Sequence, residues 1–299
     1  MGDLEKFVEK RPEAKAAFGY GSAIFKQEGY DENSEPQHDI IFIVKDIKKW
    51  HLENMQINPK DYSFLGRLHL TAASKERIKG LNKITYVSQI KEGEHKFKYG
   101  VIEEEDFVSN LSTWENLFVV GRFQKPTYKI NSTNRIDAVI KYDQSCAFRI
   151  ACLLVSEETD LANLFRTLCS LSYIGDTRMG VAENPNKVAN IVNGSYELLK
   201  ELYLPDKDYI TVDGDKVIID QKRLLREINL LPATLVYYLA EHDTNLSDVW
   251  SVKNNIYEFF REKNKKESFY QTLDVLRTNG IVRSVPYVLS KVNKRIRGK

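Results

Sequence analysis

Cysteine is scarce in this 299-residue chain, and long hydrophobic runs are missing. The three cysteines (Cys146, Cys152 and Cys169) lie in apolar, helix-like sequence without the paired spacing of a zinc site or a disulfide framework. We expect them to be buried thiols in a reducing compartment. No apolar stretch approaches the roughly 18 residues that a membrane-crossing helix needs. The acidic first residues are also unlike a signal or transit peptide. These features favour a cytosolic or peripheral protein.

The net charge is also close to zero, because the sequence contains 44 Lys and Arg residues and 42 Asp and Glu residues. A balance of +2 gives no general nucleic-acid-binding surface. The exception is the stretch Lys291–Lys299, which has five basic residues and no acid. The length allows two medium-sized domains.

The most informative stretch runs from Phe18 to Asp46. It contains the turn sequence Gly19-Tyr20-Gly21-Ser22 and then an apolar strand that begins near Asp39. Glycines at positive φ let the backbone approach a ligand, and the following N–H groups can cradle a phosphate. Strand alternation puts Asp39, Ile41 and Ile43 on one face. The pattern favours a nucleotidyl-transfer site in which Asp39 holds Mg²⁺ on a nucleoside triphosphate. A purely structural tight turn is the alternative.

The remaining chain alternates helix and strand signals, and helix dominates after Pro126. Asp46 is predicted to cap a helix that carries His51 and Asn54 on one face. Lys98 projects from one side of a strand whose other side is apolar. The predicted helices are 3–17, 47–55, 136–155 and 160–173; the predicted strands are 84–88 and 95–102, with a β-hairpin of 209–212 and 217–219.

Taken together, these blocks resemble the mitochondrial-type phosphatidate cytidylyltransferases, the translocator assembly and maintenance family. They occur in one order and span most of the chain. The matching pieces are Phe18–Ser22, Asp39 with its strand, Trp50–Asn54, Asn58–Ser63, Lys98–Ile102, Gly121–Pro126, Ser172–Met179, Glu183–Val188 and Asn279–Arg283.

The resemblance implies an α+β fold in three parts. These are a nucleotidyltransferase domain of the DNA polymerase β superfamily (1–126), a mainly helical, winged-helix-like domain (127–284) and a basic amphipathic segment (285–299). The implied reaction joins CTP and phosphatidic acid to give CDP-diacylglycerol and pyrophosphate, with Mg²⁺ as cofactor. No nucleic-acid partner is expected. A bacterial member is favoured, because no transit peptide is recognisable.

The resemblance also implies roles for individual side chains. The implied catalytic residues are Asp39, Lys98 and Ser22, and the implied metal ligands are Asp39 and Asp176. The implied nucleotide-binding residues are Gly19, Tyr20, Gly21, Ser22, His51, Asn54 and Arg178. Arg122 and Lys125 are implied to bind the phosphatidate head group, since Arg forms forked bonds to phosphate and Lys is a point charge.

Some of these assignments stay open. Many members of the superfamily carry a second acid two residues after the first, where this chain has Ile41. Asp176 is the preferred second ligand, and Asp46 is the alternative; Asp176 could instead cap a helix. His51 and Asn54 could contact the nucleotide or be core polar groups, whereas Trp50, Tyr62 and Trp114 are expected in the core. The rival functions are transfer to a soluble or RNA acceptor and a non-catalytic membrane scaffold.

The C-terminal stretch predicts membrane contact. Its apolar stripe and surrounding basic residues are typical of a helix that lies on an anionic bilayer. The residues are Val288, Leu289, Lys291, Val292, Lys294, Arg295 and Ile296. We expect a peripheral protein on the cytoplasmic face of a bacterial membrane, or on the matrix side of the mitochondrial inner membrane in a eukaryote. A packed terminal helix is the alternative, and removal of the residues after Val285 would distinguish the two by liposome binding.

Overall fold

The computed structural model describes residues 2–25, 37–179, 185–205 and 207–271. Its mixture of helices and strands confirms the α+β class. The strands are β1 (Ala16–Tyr20), β2 (Gln37–Val44), β3 (Ile84–Glu92), β4 (His95–Glu103), β5 (Tyr128–Asn131), β6 (Glu158–Asp160), β7 (Ile210–Asp213) and β8 (Lys216–Ile219). The helices are α1 (Gly2–Glu9), α2 (Ile47–Ile57), α3 (Phe64–Ala72), α4 (Lys75–Lys79), α5 (Glu104–Thr113), α6 (Leu117–Phe123), α7 (Asn134–Leu154), α8 (Leu161–Ser170), α9 (Lys187–Tyr203), α10 (Gln221–Arg226), α11 (Ala233–Glu241) and α12, which covers 249–271.

The larger sheet has the strand order β3-β4-β2-β1-β5. Only β2 and β4 run parallel, and the other neighbouring strands are antiparallel. Along β2, Ile41 and Ile43 enter one hydrophobic core, while Ile40 and Phe42 enter another. The predicted alternation of faces is therefore confirmed, and both faces of the central strand are covered.

The two cores differ in extent. The smaller core packs α1 and α2 against the sheet. The larger core runs from Phe18 and Ile41 through α7 and α8 to Phe260 on α12, so it crosses residue 126, where the sequence predicts a domain boundary. The boundary itself stays a prediction. All three cysteines are buried in this larger core, as expected.

The predicted first helix is too long. Residues 3–17 carry Ala-rich, helix-compatible sequence, but α1 ends at Glu9 and β1 begins at Ala16. Pro12 interrupts the helix pattern, and Ala16 and Ala17 are fully buried between β2 and β5. Tertiary pairing here overrides helix propensity. Gly19 and Tyr20, expected in a turn, are consequently strand residues.

A second, three-stranded sheet has the order β6-β8-β7. The hairpin of β7 and β8 is confirmed. The additional strand, β6, pairs with β8 through only three residues and lies at the junction between the predicted helices 136–155 and 160–173. Within the described residues, no helix combines the length and the apolar composition needed to span a bilayer.

A buried ion pair fixes α1 to the segment after α2. The Arg11 side chain is 1% exposed, and its Nη2 lies 3.0 Å from Oδ2 of Asp61. The same carboxylate accepts hydrogen bonds from the hydroxyl of Tyr99 at 3.1 Å and from Nδ2 of Asn54 at 3.4 Å. Removing Asp61 would leave the buried Arg11 charge with only weaker compensation among the described residues, a longer contact of 3.6 Å between its Nη1 and Oε2 of Glu92.

We therefore predict that Asp61→Ala lowers the free energy of unfolding by about 3–5 kcal/mol. The matched control is Arg135→Ala, because Arg135 forms an exposed pair with Glu105 and such pairs contribute less than about 1 kcal/mol. Urea denaturation of the two variants measures the difference. Equal losses in the two variants would contradict the structural importance of the buried pair.

Candidate active site

Asp39 lies near the start of β2, in the middle of the larger sheet. Its direct neighbours are Tyr20 on β1 and Lys98 on β4. The Nζ of Lys98 is 3.9 Å from Oδ1 of Asp39, and both side chains are partly exposed. Nε2 of Gln37 also donates to Oδ1 at 3.1 Å. The carboxylate is thus oriented by its strand neighbours and remains accessible to a ligand.

The glycine turn lies beside this carboxylate. Gly21 has φ of 85°, a conformation that favours glycine. The N–H groups of Ile24 and Phe25 donate to its carbonyl at 3.1 Å. A Cβ atom at Gly21 would lie 3.5 Å from Oδ2 of Asp39, so the turn passes close to the acid. Ser22 follows in the same turn and is half-buried.

Gly19 has a different role from the one expected. It lies inside β1, and the structure records no positive φ for it. A Cβ atom there would come within 2.4 Å of the Ile24 side chain. A larger residue at position 19 would therefore have to displace the end of the Ile24 side chain, and no positive φ adds to the preference for glycine.

The ring of Tyr86, on β3, lies near two cations of the site. Its ring centroid lies 4.6 Å from Nζ of Lys98 and 5.8 Å from Cζ of Arg122. Gly100 is its partner on β4, where a Cβ atom would come within 2.8 Å of the tyrosine ring. Sequence reasoning missed Tyr86; the available signal was a tyrosine on a strand next to the Lys98-Tyr99-Gly100 run.

Arg122 reaches the site from α6. Its guanidinium lies 4.1 Å from the Phe118 ring centroid and 5.7 Å from that of Tyr20. Nη1 donates to the carbonyl of Phe118, while Nε is buried without a hydrogen-bond partner among the described residues. Aromatic rings therefore hold the Arg122 guanidinium near Tyr20, the neighbour of Asp39 on β1.

Lys125 belongs to an adjoining basic cluster. Its Nζ donates to the Gly121 carbonyl at 2.6 Å and to Oγ of Ser172 at 2.7 Å. The Tyr173 ring is near this lysine and near Lys187, with distances of 5.1 and 5.7 Å from its centroid to the two Nζ atoms. Burial lowers the pKa of Lys125 to about 8, and the nearby cations contribute to the lowering.

Comparison with known proteins identifies the group to which this arrangement belongs. Residues 4–229 match the family model described as "Phosphatidate cytidylyltransferase, mitochondrial". The chain belongs to this family.

Several curated relatives carry the same name. The protein of Schizosaccharomyces pombe is 30% identical over 271 residues, covering 89% of this chain and 68% of the relative. That of Caenorhabditis briggsae is 29% identical and covers 95% of this chain and 94% of the relative. That of Dictyostelium discoideum is 34% identical, and the match spans about half of the relative, 52%.

The structure of this phosphatidate cytidylyltransferase family member places His51 and Asn54 in a buried network. Nδ1 of His51 is 2.9 Å from the hydroxyl of Tyr62, and Nδ2 of Asn54 donates to the hydroxyls of Tyr62 and Tyr99 at 2.9 and 2.8 Å. Burial lowers the pKa of His51 to about 3, so the ring is neutral. This geometry favours the core alternative, and nucleotide contact stays a prediction. Trp50, Tyr62 and Trp114 are core residues, as expected.

Asp176 and Arg178 form a local ion pair. Nη2 and Nε of Arg178 donate to the Asp176 carboxylate at 2.5 and 2.9 Å, and so does its backbone N–H, at 2.9 Å. Gly175, with φ of 75°, packs against the Arg261 backbone of α12. Arg178 thus occupies both oxygens of the preferred second metal ligand. The alternative ligand, Asp46, caps α2 as predicted, accepting from the Lys49 N–H. The metal and nucleotide roles of Asp176 and Arg178 stay predictions.

Within the described ranges, no group of three or more His, Cys, Asp or Glu side chains could hold a metal ion. A single carboxylate is compatible with Mg²⁺, because this ion commonly takes one or two protein carboxylates and completes its shell with water and substrate phosphates. Asp39 fits that requirement, being a partly exposed oxygen donor beside the Gly21 turn. The predicted membrane-contact residues, Val288–Ile296, lie outside the described residues.

Behind the basic cluster, Asp143 is a fully buried acid. Nε1 of Trp114 and Nε2 of Gln124 donate to its Oδ1 at 2.8 and 3.2 Å. Its Oδ2 has no hydrogen-bond partner among the described residues. Burial raises the pKa of Asp143 to about 8. The folded protein therefore keeps a proton on this carboxyl over a pH range in which the unfolded chain has lost it.

Because the pKa is raised in the folded state, the Asp143 contribution to stability is lost as pH rises from the ordinary value of 3.8 towards about 8. We predict that Asp143→Asn flattens the decline of unfolding free energy between these limits. Denaturant titrations across this pH range measure it. Asp137→Asn, on the same helix, is the control, because the Asp137 pKa is lowered and titrates below the range. An unchanged slope in Asp143→Asn would contradict the assignment.

Proposed function

We propose that this chain transfers a cytidylyl group from CTP to phosphatidate. A phosphatidate oxygen attacks the α-phosphorus of CTP, the bond from that phosphorus to the β-phosphate oxygen breaks, and pyrophosphate leaves with CDP-diacylglycerol as product. One observation carries the proposal. In a chain of the phosphatidate cytidylyltransferase family, Asp39 lies between the Gly21 turn and Lys98.

Asp39 would hold Mg²⁺ through its carboxylate. When bound, Mg²⁺ supplies charge neutralisation and orients the triphosphate oxygens. When Mg²⁺ is absent, Lys98 orients the Asp39 carboxylate, which lies 3.9 Å from its Nζ. When a phosphate oxygen is present, the Lys98 side chain can turn to it. The N–H groups and hydroxyl of the Gly21-Ser22 turn are suited to the β- and γ-phosphates.

Charge neutralisation is the main task, because the phosphatidate oxygen is already ionised and needs no strong general base. Arg122 packs on aromatic rings, and its buried Nε has no hydrogen-bond partner in the described part of the chain, so it is the cation best placed for the phosphatidate head group. Lys125 and its cluster extend the positive field away from Asp39. The pKa of Lys125 is about 8. A bound anionic phosphate would raise this pKa and so favour the charged form of the lysine.

The finer fold and location assignments belong to the same proposal. The antiparallel sheet β6-β8-β7 beside α7 and α8 is compatible with a winged-helix-like domain, and the larger sheet with the DNA polymerase β superfamily. Peripheral membrane association follows from a lipid substrate that stays in the bilayer. The near-neutral net charge speaks against an RNA acceptor, and the retained Asp39–Lys98 pair speaks against a non-catalytic scaffold.

The test is formation of labelled CDP-diacylglycerol from CTP and phosphatidate vesicles with Mg²⁺. We predict that Asp39→Asn lowers the rate by about 100-fold or more, since it removes the charge that binds the metal. Asp160→Asn is the matched control, because Asp160 caps α8 by accepting from the Asn163 N–H and Asn also caps helices well. Circular dichroism melting verifies that both variants fold. Wild-type activity in folded Asp39→Asn would sink the metal assignment, and an inactive wild type would sink the function.

A further inference from the structure

Helix α3 presents an apolar face to solvent. Phe64, Leu65 and Leu68 are 75%, 64% and 52% exposed, and their spacing puts them on neighbouring positions of one helix side. Ser63 caps the helix by accepting from the Gly66 N–H at 3.0 Å, and Leu70 anchors the opposite side in the core. The exposure therefore belongs to a helix with a fixed orientation.

Exposed cations border this face, and the first exposed acid after it in the chain is Glu76. From Tyr62 to Lys75 the sequence contains no acid. Lys60 and Arg67 are exposed beside the apolar residues. The nearest preceding acid, Asp61, is buried in its ion pair with Arg11 and adds no negative surface. Apolar residues bordered by cations complement an anionic bilayer surface.

The inner side of α3 lies beside the edge strand β3, and its Leu70 packs in the smaller core, on the sheet face opposite to Asp39 and Lys98. Gly66, His69 and Leu70 line a small cavity together with Tyr86 of β3. The ring of Tyr86 is the one that contacts Lys98, with Nζ 4.6 Å from its centroid. Strand β3 therefore separates α3 on one face of the sheet from the Lys98 site on the other, at the sheet edge.

We propose that Phe64, Leu65 and Leu68 insert into the interfacial layer of an anionic, phosphatidate-containing bilayer and hold the catalytic half of the chain on it. The proposal rests on the proposed function, since phosphatidate is the lipid that must be reached. It differs from contact through Val288–Ile296, because it uses a helix of the catalytic half of the chain.

The full chain carrying Leu65→Glu and Leu68→Glu tests this surface. Ile218→Glu is the matched control, because Ile218 is 51% exposed on β8. We expect the double variant to bind phosphatidylcholine–phosphatidate vesicles about tenfold more weakly or worse. Its turnover of vesicle phosphatidate should fall in parallel, while turnover of a water-soluble, short-chain phosphatidate stays at the wild-type level.

Each other result has a defined meaning. Unchanged vesicle binding, or an equal loss in Ile218→Glu, would overturn the proposal. The proposal would also be overturned if the wild-type protein is a dimer and the double variant is a monomer, because α3 would then be an interface between copies. Parallel loss with the soluble substrate would also overturn it. Selective loss of vesicle binding in a protein inactive on both substrates supports the surface and rejects the proposed function.

Fluorescence separates a bilayer from the chain's own C-terminal segment. In Leu65→Trp with Trp250→Phe, the remaining native tryptophans, Trp50 and Trp114, are buried. We expect emission to shift to the blue only when vesicles are added. A spectrum already blue without vesicles, which shifts to the red after removal of residues 286–299, would show that the terminal segment covers α3 and would overturn the proposal.

Discussion

The pairing of β2 with β1 on one side and β4 on the other is the constraint on which the site depends. It places Asp39 between Tyr20 and Lys98, and it brings the Gly21 turn beside the carboxylate. The register of the three strands fixes these neighbours through the backbone. Their positions in the sheet therefore do not depend on the conformation of a long side chain. Both faces of β2 are buried in hydrophobic cores, and a shift by one residue would exchange the side chains that face the two cores and would turn Asp39 to the opposite face.

The cations come from a different part of the molecule. Arg122 and Lys125 lie on and just after α6, whose first N–H, that of Leu117, donates to Oε1 of Glu267 on α12 at 2.8 Å. Asn264 of the same helix donates to the carbonyls of Leu171 and Ile174 at 2.7 and 2.9 Å. Helix α12 thus fixes both the helix that carries Arg122 and the segment that leads to Arg178. The acid is placed by the sheet and the cations by this helical frame, and the two meet at the aromatic rings of Tyr20 and Tyr86.

Much of this could be predicted from residue patterns. Period-two alternation gave the faces of β2 and β4, Asp46 gave the start of α2, and Asp213-Gly214 gave the hairpin. The errors have physical causes. Ala16 and Ala17 fit a helix locally, because only tertiary pairing makes them strand. The close contact between Gly19 and the Ile24 side chain is one that sequence spacing cannot show. Tyr86 and Glu267 act through partners distant in the chain. The burial of His51 depends on Tyr62 and Tyr99, which only the folded structure brings together.

The central claim is that this site transfers a cytidylyl group to a lipid phosphate. The most direct measurement is pyrophosphate release from each of the four common nucleoside triphosphates, with Mg²⁺, in the presence and absence of phosphatidate vesicles. We expect pyrophosphate release from CTP and not from the other three nucleotides. We expect this release only when phosphatidate is present. Release that ignores the lipid, or that does not distinguish CTP from the other nucleotides, would contradict it.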